Sequence, residues 1–184
     1  MPRIVAAIAT IAQHVQTMLD TPERYRPACC PKCGLAGLWV HGTYEREAGR
    51  GLDGPPGSIE VPRFICGKKG GCRSTCSRLP SCLPPRRWYL WGIQQAVLAL
   101  QLGGTSLRKC AHIAGTIWGP ARSTMRRWFS WLRDRHDQFA FHLLTDHPDW
   151  GRIETWQAFW PQAFSCERLS ELMAALDRRG LTVP

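Results

Sequence analysis

Acidic residues are almost missing from the middle of this 184-residue chain. Residues 85–136 contain nine Lys and Arg but one acid, Asp134, whereas residues 1–84 carry eleven bases against six acids and residues 137–184 carry four against seven. A solvated face usually mixes both signs of charge, so a stretch with a single acid predicts a polyanionic partner. Nucleic acid is the first candidate, and the net charge of +10 agrees with it.

The chain also lacks an apolar run that would suit a membrane span, which takes about 20 mainly apolar residues. Residues 4–19 are the nearest approach, but Gln13, His14 and Gln16 interrupt them, and no clean small-residue cleavage site follows. The sequence therefore predicts no membrane partner and a cytoplasmic, nucleoid-associated location in a bacterium. In such a reducing compartment, nine cysteines favour metal ligation over disulfides.

Hydrophobic periodicity and Gly/Pro punctuation predict an α+β fold, mainly α, with four segments. Residues 1–21 form an N-terminal helix, and residues 22–84 form a small four-cysteine zinc ribbon built on a β-hairpin. Residues 85–145 form a helix-turn-helix bundle, and residues 146–184 form an acidic, Trp-rich tail with one helix at 166–179. The apolar stripe of the first helix consists of Ile4, Ile8, Ile11, Val15 and Met18 or Leu19.

Two short β-like runs in the second segment, residues 38–46 and 59–66, predict the hairpin. Pro62 in the second run lacks a backbone donor, so we expect an edge strand or an interrupted ladder. A hairpin of this size buries too little apolar surface to be stable by itself. Small units of this kind are commonly stabilised by a bound metal ion.

The cysteine pattern supplies ligands for one metal ion. Residues 30–34, Cys-Pro-Lys-Cys-Gly, have the spacing of a zinc knuckle, and Gly34 permits the tight turn that brings both thiolates together. Cys66 and Cys72 are the expected second pair, because three glycines between them let the loop wrap an ion. Cys30, Cys33, Cys66 and Cys72 would fill a tetrahedral Zn²⁺ shell, which leaves no position for a catalytic water and makes the zinc structural.

Other ligands remain open within the same segment. The alternatives are Cys29, Cys76, Cys82 and His41, although His41 lies inside a strand-like run without a spaced partner. Cys110 and Cys166 fall in helical patterns and are interpreted as small buried apolar side chains.

After a hinge at Pro84 and Pro85, three helices are predicted, at residues 86–102, from 105 or 106 to 114, and at 120–135, with the last extending as far as 144. In the second and third helices apolar residues line one face and basic residues the other, which is typical of a helix-turn-helix whose second helix enters the DNA major groove. The predicted DNA-binding residues are Arg86, Arg87, Arg108, Lys109, Arg122, Ser123, Thr124, Arg126 and Arg127.

Several stretches of the chain have a familiar order. They are residues 30–34, Trp39-Val40-His41-Gly42-Thr43-Tyr44-Glu45-Arg46, Val61-Pro62-Arg63-Phe64-Ile65-Cys66, Thr75, Leu79-Pro80, Pro84-Pro85, Arg86-Arg87-Trp88-Tyr89, Ser106-Leu107-Arg108 and Ser123-Thr124-Met125-Arg126-Arg127-Trp128. Together they resemble the zinc-ribbon and helix-turn-helix front end of bacterial transposases and their small, uncharacterised relatives. The resemblance covers roughly residues 22–135 and implies mobile-element DNA recognition, with Cys30, Cys33, Cys66 and Cys72 as zinc ligands.

The expected function is binding of double-stranded DNA as an accessory or regulatory factor of a mobile element, with transcription regulation as an alternative. The second knuckle is longer than the resemblance leads one to expect, and no ribonuclease-H-like catalytic segment follows. We therefore expect no enzymatic activity, and a transposition or regulatory protein is a candidate partner.

A nuclease is the competing enzymatic hypothesis. Asp146, Asp149 and Glu154 are clustered carboxylates of the kind that hold Mg²⁺. They lie on one short segment, whereas an acidic metal site gathers ligands from separate elements, so helix capping or solvated charge is the favoured interpretation.

A protein adaptor is the third hypothesis. Trp150, Trp156 and Trp160 in the acidic tail could dock a partner protein, or the tail could fold back on the helices of its own chain. Both outcomes stay open at the level of the sequence.

Overall fold

The structure is a computed structural model, which describes residues 3–48, 57–67, 69–85, 89–113 and 119–183. Within these residues, strands occur in the first half and helices dominate the second, which confirms the α+β class. The strands are β1 (Ile4–Val5), β2 (Trp39–Ala48), β3 (Gly57–Ile65), β4 (Thr75–Cys76) and β5 (Leu79–Pro80). The helices are α1 (Ile11–Asp20), α2 (Trp91–Leu102), α3 (Leu107–Ile113), α4 (Arg122–Asp134), α5 (His136–Asp146), α6 (Trp156–Cys166) and α7 (Leu169–Arg178), with 3-10 turns at Pro22–Tyr25 and Pro148–Trp150.

The predicted hairpin forms the centre of the first half. β2 and β3 pair antiparallel, and the register shifts between Val40 and Thr43, opposite Pro62, as expected for a residue without a backbone donor. β4 pairs with the end of β3 through Phe64 and Ile65, so β3 is the central strand there and not an edge. This arrangement leads the chain out of β3 directly into the loop that contains two cysteines.

The N-terminal helix is shorter than predicted. Helix α1 begins at Ile11, because Ile4–Val5 pairs in parallel with β5 and Thr10 closes a capping box with Gln13. Its buried face is also different from the predicted stripe, since His14 and Thr17 are buried while Val15 and Leu19 are exposed. His14 is accommodated by contacts of 2.6 Å with the Tyr25 hydroxyl and 2.8 Å with the Glu60 carbonyl oxygen.

The second half packs around one large apolar core. Helix α2 contacts α4, α6 and α7, and α3 packs on α4. The largest buried side chains include Trp160, Phe139 and Phe159, whose rings meet edge to face. The contacts of α2 with α3 and α4, and of α3 with α4, therefore position the two predicted basic helices, α3 and α4.

Helix boundaries in this half differ from the sequence-based expectation at two points. Helix α2 begins at Trp91, with Leu90 as its N-cap, and residues 86–88 lie outside the described residues. The third predicted helix ends at Asp134, and α5 is a separate helix that starts at His136. The predicted turn at residues 116–119 lies outside the described residues except for Gly119.

The segment after residue 145 is not an extended tail. It contains two helices where one was predicted, and α6 was missed because it carries Pro161, a residue that disfavours a helix interior. Trp150 and Trp160 are buried and Trp156 is half-buried, so this segment folds back on the helices of the same core. No helix within the described residues combines the length and apolarity needed to cross a bilayer.

Candidate metal centre

The four predicted cysteines come together at one point. The sulfur atoms of Cys30, Cys33, Cys66 and Cys72 all lie within 4.8 Å of one another, and no other group of ligand side chains within the described ranges converges in this way. Cys30 Sγ is 3.5 Å from Cys72 Sγ, and Cys33 Sγ is 3.6 Å from Cys66 Sγ. Each cysteine of the first pair, Cys30 and Cys33, therefore lies beside one cysteine of the second pair, Cys72 and Cys66 respectively.

A tight turn presents the first two thiols. The N–H of Gly34 donates to the Cys30 carbonyl over 2.9 Å, and the N–H of Cys30 donates to the Leu35 carbonyl over 2.8 Å. Gly34 has φ +74°, a conformation that a residue with a Cβ adopts only with strain. The predicted role of this glycine in closing the knuckle is therefore seen in the backbone.

The second pair is presented by the loop that joins β3 to β4. Its neck is closed by the N–H of Cys66, which donates to the Ser74 carbonyl over 3.0 Å. Gly70 has φ +81° and Arg73 has φ +56°, so the backbone turns back sharply on both sides of Cys72. The loop thus places Cys66 at its start and Cys72 at its far side, facing the first knuckle.

These distances suit one tetrahedral ion. Four sulfurs at a metal distance of about 2.3 Å are about 3.8 Å apart, close to the spacing observed across the site. Cys30 and Cys66 are buried, whereas Cys33 is exposed. The site can hold a metal ion without rearrangement of the backbone.

The protein environment lowers the pKa of two of these thiols and raises the pKa of a third. The Ser74 hydroxyl, 3.2 Å from Cys72 Sγ, and the Ser74 backbone lower the pKa of Cys72 to about 6. The backbone of Leu35 lowers the pKa of Cys33, whereas desolvation raises the pKa of Cys66 to about 11. Metal binding must therefore displace a proton from Cys66 at neutral pH.

None of the alternative ligands, Cys29, Cys76, Cys82 and His41, belongs to this four-sulfur group within the described residues. Cys76 packs against an apolar cluster that includes Phe64, and Cys82 packs in a second cluster beside Leu83. His41 is exposed on β2. Sequence reasoning did not identify Ser74 as a partner of the site, although the Cys-x-Ser spacing is visible in the sequence.

The two remaining cysteines, Cys110 and Cys166, differ in burial. Cys110 is fully buried in the helical core, as predicted. Cys166 is exposed at the last residue of α6, so its interpretation as a buried apolar side chain is wrong.

The predicted DNA-contacting residues of α3 and α4 face solvent. Arg108 and Lys109 on α3 are exposed, as are Arg122, Ser123, Arg126 and Arg127 on α4, while Thr124 is half-buried within reach of Arg127. Met125, Trp128 and Leu132 form the buried face of α4. Arg86 and Arg87 lie outside the described residues.

Helices α3 and α4 bring part of this basic set together. Arg108, Lys109 and Arg122 line one shallow depression between the two helices, together with Ser106 and Ala111. Among the described residues, no carboxylate forms an ion pair with these three side chains. As far as the described residues line it, the depression is therefore a positively charged surface.

The three candidate nuclease carboxylates do not form a convergent group within the described residues. Asp146 is held in an ion pair by Arg179, whose guanidinium lowers the pKa of Asp146. Asp149 lies in a 3-10 turn, and Glu154 is exposed in the loop before α6.

The chain matches no family model, no curated protein and no solved structure. Function must therefore be inferred from the residues themselves.

Proposed function

We propose that this chain is a zinc-dependent protein that binds double-stranded DNA through α3 and α4. The observation that carries the proposal is the group of exposed Arg and Lys side chains at the α3–α4 depression, which form no ion pair with a described carboxylate and lie on helices whose opposite faces are buried in the core. The metal centre has a separate role, which is to fold the hairpin on which the first half is built.

Zinc is the metal that the cysteine group favours. Four thiolates in a tetrahedral arrangement are the usual ligands of structural Zn²⁺, and they leave no open position for substrate or water. The hairpin encloses little apolar surface, so metal binding would supply much of its folding free energy.

The dimensions and polarity of α4 suit the major groove. Its 13 residues span about 20 Å, and a groove of about 12 Å width admits an α-helix. Arg122 and Arg126 share one side of the helix, as do Ser123 and Arg127, because each pair is four residues apart. Arg side chains can bind guanine edges or phosphates, and α3 would support α4 as the first helix of a helix-turn-helix.

We further propose an accessory or regulatory role on DNA, with transcription regulation as the alternative. The mobile-element context rests on the sequence resemblance alone. Burial of Trp150 and Trp160 removes the surface that the adaptor hypothesis requires, so the DNA hypothesis is preferred.

The test is an electrophoretic shift of duplex DNA by the zinc-loaded chain across a salt series. Each phosphate contact contributes about −0.9 to the slope of log affinity against log salt. Arg122→Ala and Arg126→Ala should weaken binding about tenfold or more if they read bases, and should flatten the slope by about one contact if they bind phosphates.

Arg152→Ala is the matched control, since it removes the same charge from an exposed loop residue before α6. It should leave both affinity and slope nearly unchanged. Absence of a shift at low salt, or an equal effect of all three substitutions, would reject DNA binding through α3 and α4. Cleavage of the DNA only after Mg²⁺ is added would favour the nuclease hypothesis instead.

A further inference from the structure

Trp39 is held in place by the metal-binding loop and is nevertheless accessible. It is 61% exposed at the start of β2. Its indole packs against the backbone at Gly67, where an added Cβ would lie 3.0 Å from the ring atoms Cδ2 and Cε3. Gly67 directly follows the ligand Cys66, so the absence of a side chain there lets the indole lie beside the metal centre. One part of the ring is thus fixed by the protein, and the rest is open to a ligand.

The hairpin places a basic residue and a second aromatic ring on the same face as Trp39. Trp39 is opposite Ile65 on β3, and Tyr44 is opposite Val61. Arg63 lies midway between those two β3 positions, and residues two apart on a strand share a face. The Arg63 guanidinium is 4.9 Å from the centre of the Tyr44 ring. The acidic residues of the two strands occupy the alternating positions, on the other face, and are Glu45, Glu47 and Glu60.

The two segments that carry the metal ligands are basic. Residues 29–38 and 66–76 contain four Lys and Arg and no Asp or Glu. Four thiolates around a divalent ion carry a net charge of −2, so these segments stay positive when the metal and its ligands are counted. Lys32, Lys69 and Arg73 are exposed, and each lies within three residues of a ligand. These three side chains form a basic rim around the metal centre.

We propose that Trp39 and this basic rim bind single-stranded DNA, with one unpaired base stacked on the indole. Every nucleobase has a flat face that stacks on an aromatic ring, and a positively charged surface follows the phosphates on either side. The lysines favour nucleic acid over a protein partner, because lysine is depleted in protein interfaces. The surface is formed by other residues than the α3–α4 depression, and only the choice of DNA over RNA rests on the proposed function.

The test is fluorescence anisotropy of a labelled oligodeoxythymidine of about twelve nucleotides, titrated with the zinc-loaded chain. An oligonucleotide of the same length with abasic sites is measured beside it, and we expect the intact one to bind more tightly. Trp39→Ala should weaken binding of the intact oligonucleotide about tenfold, through loss of one stacked base, and should remove most of its advantage over the abasic one. Trp39→Phe keeps an aromatic ring and should retain most of the affinity.

Phe141→Ala is the matched control for the loss of an exposed aromatic side chain. Phe141 is 69% exposed on α5, so its removal should leave oligonucleotide binding unchanged. Lys69→Ala should reduce the slope of log affinity against log salt by about 0.7, the contribution of one phosphate contact on a single strand. A zinc count on each variant checks that the metal centre is intact.

The outcomes separate this surface from the duplex-binding one. If no duplex is shifted but the oligonucleotide binds in a manner that depends on Trp39, only the proposed function fails. The inference is overturned if the intact oligonucleotide does not bind, if it binds no better than the abasic one, or if zinc-loaded Trp39→Ala binds it as the wild type does. It is also overturned if Phe141→Ala has an equal effect, or if RNA of the same length binds more tightly than the DNA.

Discussion

The carboxylate of Asp177 accepts the backbone N–H of Ile4 over 2.8 Å, although 173 residues separate them. The same oxygen accepts the N–H of Arg3 over 2.6 Å, and the Asp177 residue is 4% exposed. This contact joins the first strand of the chain, β1, to the last helix, α7. The two halves of the chain therefore share one polar anchor in addition to their separate cores.

Removal of this anchor should destabilise the chain. Asp177→Ala leaves two backbone donors without their acceptor, and we expect a loss of about 2 to 4 kcal/mol in the free energy of unfolding by urea. Asp177→Asn keeps one acceptor oxygen and should lose less. Equal stability of Asp177→Ala and the wild type would show that the contact is not formed in solution.

Metal affinity should depend on pH. Burial raises the pKa of Cys66 to about 11, so the metal-free protein carries a proton there at neutral pH and must release it when the ion binds. Between about pH 6.5 and 8.5 the apparent affinity should rise at least about tenfold per pH unit, because at least one proton is released. Competition with a chelator of known affinity measures this slope, and an affinity independent of pH would contradict the assignment of Cys66.

The C-terminal helices should be essential to the bundle. Trp160 is fully buried, and Trp160→Ala should cost about 3 to 5 kcal/mol through lost contacts and a cavity. Phe141→Ala is the control, since Phe141 is 69% exposed on α5 and should change stability little. If thermal unfolding is unaffected by Trp160→Ala, the segment after residue 145 does not form part of the core.

Local patterns in the sequence identified much of the candidate metal site. The Cys30–Cys33 knuckle, its Gly34 and the two β-like runs are determined by short-range spacing, and all appear in the structure. The three glycines after Cys66 also favoured Cys72, and the structure places its sulfur with the other three.

What the sequence did not reveal depends on pairing between distant residues. Residues Ile4–Val5 pair with β5 and so are not part of the N-terminal helix. Hydrophobic periodicity carries no information about such a distant strand partner. Burial of Trp160 likewise depends on contacts of α6 with α2 and α5, which are distant in sequence.

The most direct test of the metal centre is a zinc count on the purified chain and its single cysteine variants by mass spectrometry. We expect one zinc per wild-type chain, its loss in Cys30→Ser and in Cys72→Ser, and its retention in Cys76→Ser. Retention of a full zinc equivalent in Cys72→Ser with loss in Cys76→Ser would contradict it, as would a wild-type chain that binds no zinc when refolded with the metal.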